Sequence, residues 1–118
     1  MEIGTFAANV WVAVGLGAAI GLERQWGQHP AGLRTNTLVA TGAALFVSLT
    51  FLIGDPQGPT RVASYIVSGL GFLGGGVILK EGAGVRGLNT AATIWCSGAV
   101  GTIAGAGFPL PAGWFIEP

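Results

Sequence analysis

The few charged residues are separated by long uncharged stretches. This spacing constrains the fold more than any other feature of the sequence. Residues 3–22 and 35–54 are uncharged stretches of 20, and residues 62–79 form a third of 18. After Arg86 the next charge is Glu117. A 20-residue helix spans about 30 Å, the thickness of the hydrocarbon core of a bilayer. The spacing therefore predicts helices that cross a membrane.

The composition supports the same conclusion. Only 8% of the 118 residues are charged, whereas a soluble domain carries about 25%. Five acidic residues balance five basic ones, which excludes the basic surface that nucleic acids require. The N-terminus lacks the basic segment of a cleavable signal peptide, so we expect the first apolar stretch to remain as an anchor.

The predicted fold is all-α, a single transmembrane domain over 1–118 formed by a bundle of four transmembrane helices. Their predicted positions are near 3–22, 37–54, 62–79 and 90–107. Basic residues dominate the loops at one end of these helices: Arg24, Arg34, Lys80 and Arg86 stand against Arg61 at the other. The positive-inside rule then places the first and third loops in the cytoplasm and both termini outside.

Small residues predict where the helices pack. Of the 18 residues from 90 to 107, 14 are Gly, Ala, Ser, Thr or Cys, so the fourth helix is predicted to be the central packing helix. The second and third helices are richer in large apolar residues and suit contact with lipid. Cys96 is predicted to be a small buried residue. The candidate packing residues are Gly17, Gly21, Gly71, Gly75, Cys96, Gly101 and Gly105.

The two halves of the chain repeat short motifs. Gly-Leu-Gly at 15–17 recurs at 69–71, and the Gly-Leu and Thr of 32–35 recur at 87–90. A duplicated hairpin explains this pattern, with a parallel repeat about an axis normal to the membrane. Chance recurrence in a chain with 22 glycines is the alternative.

Polar residues gather at the predicted cytoplasmic ends of the helices. Two interpretations are open: helix caps with interfacial ion pairs, or a functional cluster built around Glu23, Arg34, Glu81 and Asn89. Such a cluster suits Mg²⁺, for which Glu23 and Glu81 are the candidate ligands. The candidate functional residues at this end are Glu23, Arg24, Arg34, Asn36, Glu81, Arg86, Asn89 and Thr90.

Catalysis finds little support in the sequence. His29 is the one histidine, no cluster has metal-ligand spacing, and no serine has a base near it in sequence. We therefore expect a protein that is not an enzyme and has no cofactor, with Mg²⁺ as the one ion to consider. The partners expected are the bilayer, another membrane complex and a second copy of the chain, not nucleic acid.

Several ordered motifs between about 15 and 107 resemble the MgtC/SapB family of bacterial inner-membrane proteins. They are Gly-Leu-Glu-Arg at 21–24, Ala-Gly-Leu-Arg-Thr-Asn at 31–36, Gly-Ala-Ala-Leu-Phe at 42–46, Arg61, Gly-Phe-Leu-Gly-Gly-Gly-Val-Ile-Leu-Lys at 71–80 and Val-Arg-Gly-Leu-Asn-Thr-Ala-Ala-Thr-Ile-Trp at 85–95. By motif match, the residues to test are Glu23, Arg34, Glu81, Asn89 and Cys96.

The resemblance implies a plasma-membrane protein linked to growth at low magnesium and, in pathogens, to survival inside host cells. It implies a regulator that restrains the F-type ATP synthase through contacts in the membrane. Transport of Mg²⁺ or a small solute by a homo-oligomer is the alternative. Family members typically have a fifth helix and often a soluble domain, whereas residues 108–118 here are expected to be an interfacial tail.

Overall fold

The computed structural model describes residues 3–29, 31–81 and 84–107, the side chain of Glu81 excepted. These residues form four helices: α1 (Ile3–Trp26), α2 (Leu33–Ile53), α3 (Gly58–Glu81) and α4 (Val85–Gly105). The prediction of an all-α bundle is confirmed. The predicted interfacial tail over 108–118 lies outside the described residues.

The helices extend beyond the apolar stretches at the end where the basic residues cluster. α1 continues to Trp26 rather than residue 22, α2 begins at Leu33 rather than 37, and α4 begins at Val85 rather than 90. The bilayer core requires apolar side chains over about 30 Å only. Residues such as Glu and Arg are good helix formers, so a helix continues through them into the headgroup region.

Three helices are long and apolar enough to cross a membrane: α1, α2 and the segment Gly58–Lys80 of α3. α4 has 21 residues, but it is not among these spans, since small and polar residues dominate it. α4 contacts each of the other three helices, so it meets protein on several sides. A weakly apolar helix is tolerated at membrane depth where neighbouring helices cover it.

The bundle is built around a central pair of helices. α2 and α4 each contact all three other helices, whereas no contact joins α1 to α3 within the described ranges. Gly101 and Gly105 lie against Ala40 and Ala44, which shows that α4 runs parallel to α2. α2 is therefore as central as α4, rather than a lipid-facing helix as its composition suggested.

The two hairpins point the same way, as a parallel repeat requires. Gly17 and Gly21 of α1 meet successively earlier residues of α2, so these two helices are antiparallel. Exchanging α1 with α3 and α2 with α4 leaves the set of contacting helix pairs unchanged. The core lies where α1, α2 and α4 meet, at the fully buried Ala13, Ala44 and Ala104. Residues without bulk at this point let three backbones approach closely.

Candidate functional site

A chain of hydrogen bonds joins α1, α4 and the first loop at the end of the bundle that carries most basic residues. Arg24, of which 6% is exposed, donates a hydrogen bond from its guanidinium to the hydroxyl of Thr90. Thr90 donates in turn to the carbonyl of Arg86, at 3.0 Å. The guanidinium of Arg86 donates to the carbonyl of Gln28, at 3.2 Å. These bonds hold the end of α1 and the first loop against the start of α4.

Gln28 and Ala31 give the first loop its tight conformation. Their φ angles are 58° and 55°, in the left-handed region that residues other than glycine rarely adopt. The loop is fixed from two sides, because Arg86 donates to the carbonyl of Gln28 and Asn36 donates to the carbonyl of Ala31, at 2.6 Å. Contacts from α2 and α4 thus stabilise a backbone that is unfavourable by itself.

Asn36 forms the polar centre of the contact between α2 and α4. It is fully buried, and its amide nitrogen also donates to the carbonyl of Gly32, at 2.9 Å. Its side-chain oxygen accepts a hydrogen bond of 2.6 Å from the hydroxyl of Ser97, also fully buried. Buried polar groups in lipid must find internal partners, and here each satisfies the other.

A groove opens between α1 and α4 beside these bonds, with a volume of about 730 Å³. Three of the candidates at this end line it: Glu23 and Asn89, which are exposed, and Arg24, which is buried. The whole lining is Ala19, Ile20, Glu23, Arg24, His29, Asn89, Ala92, Thr93 and Cys96. The charged members and Asn89 lie toward the loop end, whereas Ala19 and Ile20 of α1 and Ala92, Thr93 and Cys96 of α4 line the part deeper in the bundle.

The other candidates at this end of the bundle lie outside the groove. Arg34 is exposed on α2, and Asn36 is buried between α2 and α4. Arg86 and Thr90 belong to the hydrogen-bond chain behind the groove. The prediction for Glu81 concerns a side chain outside the described residues. The structure thus divides the predicted cluster. Glu23 and Asn89 are exposed in the groove, Arg24, Thr90 and Arg86 form the hydrogen-bond chain, and Asn36 and Arg34 lie apart on α2.

No group of three or more His, Cys, Asp or Glu side chains able to hold a metal ion occurs in the described part of the chain. The Mg²⁺ hypothesis combined Glu23 with Glu81. Glu23 is exposed and lines the groove.

Four of the six candidate packing glycines, two in each hairpin, lie against the backbone of α2 or of the loop before it. A Cβ built on Gly17 or Gly21 would lie 2.8 Å or less from backbone atoms of α2, and one on Gly105 would lie 2.6 Å from the carbonyl oxygen of Ala44. Gly101 is in closer contact still, with the carbonyl of Ala40. Real Cβ atoms do not approach so closely, so these four positions need the absence of a side chain.

Gly71 and Gly75 differ from the prediction. Both are exposed on α3, with nothing within 4 Å of a built Cβ. Cys96 differs as well, because it is exposed and lines the groove rather than packing in the core. Its neighbours Ser97 and Gly98 face α2 and α3 instead, so the rotation of α4 turns Cys96 outward.

Comparison with known proteins places the chain in a family. The model of the MgtC family matches residues 10–116, nearly the whole sequence. The chain belongs to the MgtC family. No solved structure matches it.

Three curated relatives of this MgtC-family chain illustrate the match. It is 58% identical over 102 residues to Protein MgtC of Salmonella typhimurium, covering 86% of this chain and 44% of that protein. It is 64% identical over 92 residues to Protein MgtC of Brucella abortus, covering 78% of this chain and 39% of that one. An uncharacterized Synechocystis protein is 60% identical over 107 residues, covering 91% of this chain and 46% of the relative. The chain thus spans less than half the length of these proteins.

Sequence reasoning missed Ser97 and the groove-lining His29 and Thr93. A signal for Ser97 was present in the spacing of α4: Thr90, Ile94, Ser97 and Gly101 follow the i, i+4, i+7, i+11 order of one helix face, and all four are buried. His29 carried no such signal. It reaches the groove because the tight first loop folds back, with the His29 amide donating to the carbonyl of Arg24 at 2.9 Å.

Proposed function

We propose that this chain is the membrane domain of a non-enzymatic regulator that acts through contacts between its helices and another membrane complex. Membership of the MgtC family supports this proposal, since two of the relatives described above bear the name MgtC. The family resemblance makes adaptation to low magnesium the physiological setting and the F-type ATP synthase the partner to test first.

The outward face of α3 is the observation that carries the proposal. Ser64, Ser68, Gly71 and Gly75 follow the i, i+4, i+7, i+11 spacing of a single helix face, and all four are exposed. A built Cβ at Gly71 or Gly75 meets nothing within 4 Å. The face therefore has no role in holding the described bundle together.

A face of this kind favours a helical partner over lipid. In a bilayer there is no hydrophobic gain when helices associate, so association depends on close van der Waals contact and on hydrogen bonds. Small residues four apart let two backbones approach, and the serine hydroxyls supply polar groups for a neighbour. Lipid chains gain nothing from such a surface, because a small residue offers them few atoms to contact.

α4 is also rich in small residues, but we assign the partner surface to α3. Gly101 and Gly105 are buried against α2, so their small-residue face is occupied inside the chain. α3 lies at one side of the bundle, and only three of its described residues are buried: Gly58, Leu70 and Gly74.

The proposed location is the bacterial inner membrane, with the basic end of the bundle in the cytoplasm and the opposite end outside. Arg24, Arg34, Lys80 and Arg86 all lie at or near the ends where α1 and α3 finish and α2 and α4 begin. Arg61 lies near the start of α3, at the other end. Such an excess of basic residues is typical of cytoplasmic ends.

The test is co-purification of the tagged chain from gently solubilised native membranes after growth at low magnesium. Gly71→Leu and Gly75→Leu fill the outward face of α3 and should abolish recovery of the partner complex. Gly15→Leu is the matched control, since Gly15 is exposed on α1 with nothing within 4 Å of a built Cβ.

Recovery of one membrane complex with the native chain and with the Gly15→Leu variant, but not with the α3 variants, is the expected result. Recovery of ATP synthase subunits would identify the partner. Unchanged recovery with Gly71→Leu would refute the role of the α3 face. If the native chain is recovered alone as a discrete oligomer, the regulator proposal fails, and flux of Mg²⁺ in liposomes becomes the next measurement.

A further inference from the structure

We propose that the groove between α1 and α4 binds a phospholipid whose headgroup carries a primary ammonium, such as phosphatidylethanolamine. The site is separate from the α3 face on which the proposed function rests. Its position, its shape and the charges at its polar end lead to this ligand.

The groove runs from the polar end of the bundle into the membrane-spanning part. Asn89 and Cys96 both line it and lie seven residues apart on α4, which corresponds to about 10 Å along the helix axis. Its volume is about 730 Å³, and it is an open groove rather than an enclosed cavity. Where the groove enters the membrane-spanning part of the bundle, we expect it to contain lipid rather than water, because mainly apolar walls do not hold water.

The lining changes character along the groove. Away from the loop end, the lining consists of Ala19, Ile20, Ala92, Thr93 and Cys96. The hydroxyl of Thr93 donates to the carbonyl of Asn89, so this part of the lining is mainly apolar and suits an acyl chain. Glu23 and Asn89 lie at the loop end, one on each helix, and both are exposed. The groove thus joins a mainly apolar channel to a polar end, as one amphiphilic molecule requires.

The charges at the polar end select the headgroup. The carboxylate of Glu23 and the amide oxygen of Asn89 accept hydrogen bonds, and a primary ammonium has three to donate. The exposed His29 lines the same end, whereas Arg24 lies buried behind it with its guanidinium donating to Thr90. An anionic lipid without an amine would bring its phosphate beside Glu23 with no compensating cation of its own.

The apolar part of the groove cannot supply the selectivity. Moving an acyl chain from bulk lipid to an apolar groove brings no hydrophobic gain, since both surroundings are equally apolar. A second groove, about 610 Å³ between α2 and α3, is lined mostly by aliphatic and aromatic side chains and by no charged residue. We expect lipids to occupy that groove without headgroup preference, which makes Glu23 the determinant of preference in the first.

The experiment measures the lipids retained by the purified full chain. The chain is reconstituted in nanodiscs containing equal parts of phosphatidylethanolamine, phosphatidylcholine and phosphatidylglycerol with identical acyl chains. It is then extracted gently, and the retained lipids are quantified by mass spectrometry. Phosphatidylcholine is the decisive comparison, because its headgroup has the same net charge but its methylated nitrogen donates no hydrogen bond.

We expect phosphatidylethanolamine to be enriched on the order of tenfold over phosphatidylcholine, as one charge-assisted hydrogen bond allows. Glu23→Gln should reduce this ratio to about one, since it removes the charge without changing the shape. Asp55→Asn is the matched control, because Asp55 is exposed in the loop between α2 and α3 and should leave the ratio unchanged. Ala92→Trp fills the groove and should remove the enriched lipid.

Equal retention of the three lipids, enrichment of phosphatidylglycerol, or an unchanged ratio in the Glu23→Gln variant would each overturn the proposal. Soluble phosphoethanolamine should not displace the lipid, and displacement would show that the headgroup binds without the acyl chains. The Gly71→Leu variant should keep the enrichment, so failure of the α3 interface and failure of the lipid site are separate results.

Discussion

Gly101 and Gly105 on α4 have the same spacing as Gly71 and Gly75 on α3, yet the two pairs lie in opposite surroundings. The α4 pair is buried against the backbone of α2, whereas the α3 pair is exposed with nothing within 4 Å of a built Cβ. Spacing of this kind shows that a backbone can be approached closely, but it does not say which neighbour approaches.

The difference arises from what lies opposite each pair. α2 presents Ala40 and Ala44 to Gly101 and Gly105, so small residues meet small residues and the two backbones come together. No helix within the described ranges faces Gly71 and Gly75. The same motif thus stabilises the fold on α4 and is available for a partner on α3.

The largest effect that separates the two pairs should come from leucine substitution. Gly101→Leu drives a side chain into the carbonyl of Ala40, and backbone cannot move aside as a flexible side chain would. We expect a loss of about 3 kcal/mol or more, at or above the upper end for overpacked cores. Gly71→Leu adds a side chain in open space and improves helix propensity, so we expect no loss and a gain of up to about 1 kcal/mol. Unfolding of the purified variants in detergent measures both, and equal stability would remove the distinction.

Alanine substitution should lower the stability of the protein at the α4 pair and raise it at the α3 pair. Gly105→Ala places a methyl group 2.6 Å from the carbonyl oxygen of Ala44, so we expect a loss of about 1 to 3 kcal/mol. Gly75→Ala adds a methyl group in open space and improves helix propensity, so we expect a gain of up to about 1 kcal/mol. The same unfolding measurement tests the pair, and a loss at Gly75 would indicate a contact that the monomer lacks.

The smallest effect concerns the polar bond that accompanies the α4 glycines. Asn36 and Ser97 join α2 to α4 through a buried hydrogen bond of 2.6 Å. A double-mutant cycle with Asn36→Leu and Ser97→Ala should give a coupling energy of about 0.6 to 1 kcal/mol, as hydrogen bonds between membrane helices usually do. A coupling near zero would mean that close glycine packing alone holds the two helices together.

Much of the fold could be predicted because each helix carries its own signal. The uncharged stretches 3–22, 35–54 and 62–79 correspond to α1, α2 and α3, since lipid selects apolar side chains along every span. The polar ends were also predictable, because charges are confined to the membrane surfaces. At the basic end of the bundle, the predicted helix ends fell short of the observed ones, because a helix can continue into the headgroup region, where charged side chains are tolerated.

The candidate site was predictable in its location but not in its grouping. Glu23 and Asn89 were both selected from the sequence, and they line one groove. Arg34 lies away from that groove, while His29 enters it through the fold of the first loop. The grouping depends on how α4 is rotated against α1, and residues 60 or more apart in sequence give no direct signal of that rotation.

The order of the amino acids is enough to predict apolar helices with polar ends and many small residues suited to close packing. The packing of the helices is what turns Gly101 toward α2, leaves Gly71 facing outward and places Cys96 in a groove. The physical reason is that the bilayer acts on each helix separately, through hydropathy and hydrogen bonding along its length. Pairing one small-residue face rather than another brings no hydrophobic gain in lipid. Which faces pair therefore depends on how well two helix surfaces fit, and that fit exists only in the assembled bundle.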